Sequence, residues 1–277
     1  MTRMIKQKKT INKSLKNTEN QRLSIQFSLD GFSFCIENRQ QKVTHFSTVL
    51  FDATLATPKE LLLKIEAVFN QNHQLQQDFS SVLAIHQNSL STLVPTSFFD
   101  ENKLKMYLQY NIKTLATDFI AFDDVLNIDA KNVYVPYVNI NNYLFQNFGE
   151  FEYKHHLSIL LEKLIHHNTN TSEKRMFVNL SKNNLDIIVL ESGNLFFCNS
   201  FSYTTKEDFI YYILFTAEQL QLNTEKFLLT FLGDINIDDA FYKIAYQYIR
   251  NIQFYKSKNQ VYLDKNLPKH SNFILLG

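Results

Sequence analysis

The side chains able to do chemistry in this chain are scattered, and their spacing excludes most joint roles. Four histidines come in two pairs, His155/His156 and His166/His167, at the ends of one helical pattern. Positions 156 and 167 lie about three turns apart, too far to share a metal ion, which leaves a surface or interface role. Cys35 and Cys198 form no Cys-x-x-Cys and have no histidine pair beside them. Their neighbours Phe34, Ile36, Phe196 and Phe197 mark them as reduced, buried thiols rather than a zinc or redox centre. Asp123-Asp124 reads as a turn. One tip stands out: Ser28-Leu29-Asp30-Gly31-Phe32-Ser33 sets a carboxylate, a glycine and a hydroxyl at a reversal between two apolar runs. Asp-Gly is also the default hairpin pair, so the turn alone implies no chemistry.

The elements that carry these residues are legible. Leu23–Leu29 alternates, Phe32–Ile36 returns and Val43–Leu50 makes a third strand. Thr57-Pro58-Lys59-Glu60 then starts a helix with Leu61, Leu62, Ile65, Val68 and Phe69 on one face. Ser81–His86 is a buried strand. The second half does the same. Met176–Leu180, Leu185–Leu190 and Leu195–Phe201 form a meander, Thr205 caps a helix, and strands follow at Lys226–Leu232 and Asn251–Tyr255 around a helix at Ile237–Tyr248. From cap to fourth strand the intervals are 82 − 57 = 25 and 228 − 205 = 23 residues. The pattern predicts one β-β-β-α-β-α unit used twice.

The first copy is interrupted. Residues 88–138 hold a strand at Leu90–Val94, a charged helix at Asp100–Tyr110 and strands at Phe119–Leu126 and Val133–Val138. That is too much for a loop, so an inserted subdomain is expected. Helix Asn139–Phe148 and strand Phe151–His155 complete the copy, and His156–His167 crosses to the next. The expected organisation is a basic disordered tail over 1–22, a first unit over 23–155, and the crossover helix with a second unit over 156–277, ending in a weak strand at Asn272–Leu276.

Composition bounds the rest. Net charge is +1 over 277 residues, so the chain as a whole is no polyanion binder. Residues 1–22 carry seven Lys/Arg against Glu19, and nucleic acid contact is expected only through this tail. Nothing reaches the roughly 18 apolar residues of a membrane helix, and no hydrophobic signal core opens the chain. The expectation is a cytoplasmic protein that does not enter the membrane.

A duplicated unit of this kind, interrupted in its first copy, resembles the actin-like ATPase superfamily with its RNase H-like fold. The stretch Ser24–Ile36, the segments Val94-Pro95 and Val135-Pro136 and the length resemble an uncharacterised bacterial family of that fold. The resemblance implies an α/β protein of two actin-like units, each a three-strand antiparallel meander followed by αβα. It implies a nucleotide cleft between them, with phosphates held by two hairpin turns. The first turn supplies Asp30, Gly31 and Ser33, with bulky Phe32 where the superfamily has a small residue. The second, Asn179–Asn184, supplies Ser181 and Asn183 but lacks both Asp and Gly. The adenosine strand, Leu229–Ile235, keeps Gly233 and follows it with Asp234. A related nuclease would need carboxylates in the first strands, and Leu23–Leu29 and Met176–Leu180 have none.

Three weakened motifs predict a non-catalytic protein, a pseudoenzyme that binds a protein partner and needs no cofactor or metal. The alternative is an ATP-binding actin-like enzyme, a small-molecule kinase or ATPase that takes MgATP in the cleft with Asp30 as its catalytic carboxylate.

Overall fold

The chain is described by a computed structural model over residues 21–168, 173–257 and 267–277. The first half opens as the alternation demands. Strands β1 (Arg22–Ser28), β2 (Gly31–Glu37) and β3 (Val43–Leu50) form an antiparallel meander, with Leu23, Ile25 and Phe27 turned into the core. Thr57 caps helix α1 (Pro58–Gln71): its hydroxyl accepts the Glu60 N–H, and Glu60 returns a bond to the Ala56 N–H. Leu61, Ile65, Val68 and Phe69 bury one face of the helix against the sheet. Strand β4 (Ser81–His86) then pairs parallel to β1.

The interruption folds as its own small sheet. Strands β5 (Ser91–Pro95), β6 (Ala121–Asp124) and β7 (Ala130–Tyr134) take the order β5-β7-β6, with the short helix α2 (Leu104–Leu108) packed on them. The helix expected over Asp100–Tyr110 is cut short. The Asp100 carboxylate accepts the Asn102 N–H and opens a 3-10 turn, while the Tyr107 hydroxyl donates to the Phe98 carbonyl and accepts the Asp100 N–H, folding the chain back on itself. Asp123-Asp124 forms no turn: it lies in β6, with Asp123 buried. Helix α3 (Val138–Phe148) and strand β8 (Glu152–His155) complete the first sheet in the order β3-β2-β1-β4-β8.

Helix α4 (His156–His167) leads to the second half. Strands β9 (Arg175–Leu180), β10 (Asn184–Glu191) and β11 (Asn194–Ser202), helix α5 (Lys206–Gln219), strand β12 (Leu228–Gly233), helix α6 (Ala240–Tyr248) and strand β13 (Asn251–Phe254) repeat the pattern. The sheet order, β11-β10-β9-β12-β13, is the order of the first sheet. Thr205 and Asp208 form a full capping box on α5. Ser192 and Gly193, both at positive φ, make the β10–β11 turn. Along β10 the run Leu185–Leu190 is buried without alternation, as both faces of that sheet are covered.

Helix α4 is buried at most positions and packs in a core that joins both sheets: Cys35 and Ile85 from the first, Phe177, Ile188 and Leu232 from the second. The C-terminus completes this core. The strand expected at Asn272–Leu276 is instead a helical turn, α7 (Phe273–Leu276), started by Asn272 at φ 51°, whose carbonyl accepts the N–H groups of Leu275 and Leu276. Its four apolar residues are buried on several sides, and one turn of helix satisfies its backbone there without a partner strand. The basic stretch expected to be disordered lies, through residue 20, outside the described residues.

Replacing Thr205 by Ala removes the hydroxyl half of the capping box. We expect a loss of about 1 kcal/mol in urea unfolding, with no change of m-value.

Candidate functional site: the cleft between the two sheets

Both hairpin tips and the end of β12 meet at one cavity of about 530 Å³. Asp30, Gly31 and Ser33 line it from the first sheet, Ser181 and Gly233 from the second, and Leu267–Ile274 forms a further wall. Five of the six predicted residues are therefore brought together. Asn183 is not in the lining but is tied to it: its amide donates to Thr54 Oγ1 at 2.8 Å, and the Thr54 hydroxyl donates to Asp30 Oδ1 at 2.5 Å. This relay joins the two predicted phosphate turns directly.

The turn at Asp30 is built differently from a type I′ Asp-Gly pair. Leu29 and Asp30 are the turn residues, and Gly31 already pairs with Ser28 as the first residue of β2. Glycine is needed there for close approach, since a Cβ would sit 2.9 Å from the Val49 carbonyl oxygen. Gly233 is required more strictly. Its φ is +81°, and a Cβ would meet the Leu180 carbonyl oxygen at 2.1 Å.

Several donors at these turns are spent inside the protein. The Asp30 N–H donates to Ser28 Oγ at 3.1 Å. The Ser181 N–H and hydroxyl both donate to the Asn184 carbonyl, at 2.9 and 3.1 Å. Ser33 and Thr48 share a 2.8 Å hydroxyl bond across β2 and β3. The Gly233 N–H, the last of β12, donates to the His270 carbonyl of the C-terminal segment at 2.9 Å.

The field is unfavourable to polyanions as well. The titratable side chains lining the cavity among the described residues are Asp30, Asp234, Lys182 and His270. Burial, and then the charge of Asp30, pushes the Asp234 carboxyl above its ordinary range. Burial lowers His270, whose Nε2–H donates to the Ile235 carbonyl at 2.6 Å, so its ring is neutral and adds no positive charge.

Sequence reasoning missed the polar residues behind the cavity. Asn179 lines it, is 5% exposed, and donates to Asp186 Oδ2 at 2.9 Å. Asp186 also accepts from Ser200 Oγ at 2.6 Å and from His156 Nε2 at 3.2 Å. Burial alone would raise this carboxyl, but the charge and N–H of His156 with the Ser200 and Asn179 bonds outweigh it, and it lies below its ordinary 3.8. The available signal was a polar residue within each of the apolar runs Met176–Leu180 and Leu185–Leu190. Nor are His155 and His156 surface residues; they are 0% and 3% exposed. The His155 Nε2–H donates to the Asn88 carbonyl, so Nδ1 is bare and accepts from Asn132 Nδ2 and the Leu157 N–H. Burial, then the charge of His156, holds that ring far below its usual range.

Residues 9–252 match the family described as "Protein of unknown function (DUF3822)". The chain belongs to the DUF3822 family. A Bacteroides thetaiotaomicron protein with actin-like ATPase fold and unknown function superposes on this DUF3822 chain with a TM-score of 0.79 at 21% identity. That match covers 88% of this chain and 94% of that one. The PilM–PilN type IV pilus biogenesis complex follows at a TM-score of 0.52 and 11% identity, over 85% and 88%. No curated protein matches. The fold is that of the actin-like ATPases. No helix among the described residues is long and apolar enough to cross a membrane, and none of their His, Cys, Asp and Glu gather as a metal site.

Two outcomes follow from this geometry. Gly233→Ala must adopt a left-handed φ and meet a backbone oxygen; we expect a loss of about 3 kcal/mol or more in chemical unfolding. Asp186→Asn removes a buried carboxylate that accepts from His156, Ser200 and Asn179, and should cost about 1–3 kcal/mol at neutral pH. The folded-state carboxyl lies below its unfolded value, so the native state binds fewer protons. Its contribution is full above about pH 4 and fades as pH falls through the lowered value. Acid unfolding curves of the Asn variant should be shallower in that range.

Proposed function

We propose that this chain acts by binding another macromolecule, on a fold whose nucleotide cleft no longer turns over ATP. One observation carries the reading: the Asp30, Ser181 and Gly233 amides, which the superfamily would aim at nucleotide, each have a partner within the protein. A phosphate would have to break those bonds and enter beside Asp30 and Asp234. Hydrogen-bond exchange of that kind gains little, and two carboxylates oppose the ligand's charge. PilM offers a parallel, since it shares the fold and forms a complex with another protein, PilN. The cytoplasm, as expected from the sequence, is the compartment that suits this reading.

The cavity itself favours the second reading, an ATP-dependent enzyme. At about 530 Å³ it falls within the size range of small-molecule sites, and Asp30 stands in its wall. Thermal unfolding with and without MgATP, together with a phosphate-release assay, separates the two. We expect no shift in Tm and no phosphate. A stabilisation approaching the ~2.7 kcal/mol of a ligand at a hundred times its Kd, lost in Asp30→Ala and accompanied by turnover, would establish the enzyme instead.

A further inference from the structure

The segment Leu267–Gly277 lies in the cleft as a peptide ligand lies in a groove. The rest of the chain reads its backbone. The Gly233 N–H donates to the His270 carbonyl, and Lys163 Nζ donates to the carbonyls of Ile274 at 2.8 Å and Phe273 at 3.3 Å. Its side chains are anchors. The His270 ring stacks on Phe254 with centroids 4.4 Å apart, and Phe273 packs 4.6 Å from Tyr255 while only 1% exposed. Main-chain hydrogen bonds with buried side-chain anchors are how proteins hold peptides. The same segment walls the cavity described above.

We propose that this groove is the chain's partner-binding surface, that its own C-terminus is the resident occupant, and that the partner supplies a segment of the same chemistry. That segment is a single helical turn with an aromatic–aliphatic run like Phe273-Ile274-Leu275-Leu276. The chemistry is fixed by what displacement exposes. Removing the resident segment uncovers four buried apolar side chains and the groove beneath them. An incoming segment that buries a similar apolar area offsets that exposure, whereas a polar or anionic one does not. This inference rests on the reading of the chain as a macromolecule binder.

A fluorescent synthetic peptide with the sequence of residues 267–277, followed by anisotropy, tests it on the full-length protein. In the wild type the tethered segment competes at high effective concentration, and weak binding is expected. Phe273→Ala and Leu275→Ala weaken the resident segment without altering the groove, so each should bind the peptide at least about tenfold more tightly. Lys163→Met added to either variant should weaken that binding, and a scrambled peptide should not bind. Circular dichroism reports which variants fold, and Leu275→Ala, the smaller truncation, serves if Phe273→Ala does not. Folded variants that bind no better than wild type, or that bind the scrambled peptide equally, overturn the proposal. If MgATP is also silent, the macromolecular reading then survives without this groove. MgATP binding with turnover would remove that reading whatever the peptide does.

Discussion

Two consecutive histidines make the joint on which the arrangement of the two sheets depends. His155 ends β8 and His156 begins α4, and the change from strand to helix sends their side chains to different partners. His155 is locked by Asn88 and Asn132 toward the small inserted sheet, while His156 reaches Asp186 in the second sheet. Both are buried, so each polar atom left without its partner would cost more than the bond gains. The direction in which α4 leaves the first sheet is set at this step, and α4 is the helix against which both sheets and the C-terminal turn pack.

The inserted sheet is fastened at the same place. Asp123 on β6 accepts from the Ser158 hydroxyl at 2.6 Å, the His155 N–H at 2.8 Å and the Tyr134 hydroxyl at 3.0 Å. Burial raises this carboxyl against the pull of its three donors. Asn179 lies at the other end of the series, bonded to Asp186 and lining the cavity. Inserted sheet, α4, second sheet and cleft wall are thus joined by buried polar side chains, with the rings of His155 and His156 4.4 Å apart at the middle. Such a series favours one packing of the two sheets over near alternatives, because a shifted arrangement would leave several of its members unpaired at once.

The sequence carried the elements well where the signal was local. Alternation in β1, the proline start and threonine cap of α1, and the capping box of α5 are each written in fewer than eight residues and were readable there. What failed was tertiary. Asp30-Gly31 marks a reversal, but which residues turn is decided by the approach of Val49 to Gly31. The last apolar run resembles a strand, yet no strand pairs with it and helix satisfies its amides. His155, His156 and Asp123 carry surface-type chemistry and are buried because most of their side-chain partners come from elements 23 to 67 residues away. Five of the six cleft residues converge as their motifs suggest. That their donors already have partners depends on pairings the motifs do not specify, with Ser28 and Asn184 inside the turns themselves and His270 in a distant segment.

Spending those donors inside the protein has a structural benefit. A cleft open to nucleotide holds amides and hydroxyls in wait, solvated when empty and poorly packed between its walls. Here the Asn183–Thr54–Asp30 relay spans the gap, the His270–Gly233 bond ties the C-terminal segment to the second sheet, and the apolar C-terminal turn packs into the core around α4. Each contact stabilises the packing around the cleft. These contacts need only residues at the right height on neighbouring elements, so they are made within the same strand order that both sheets share.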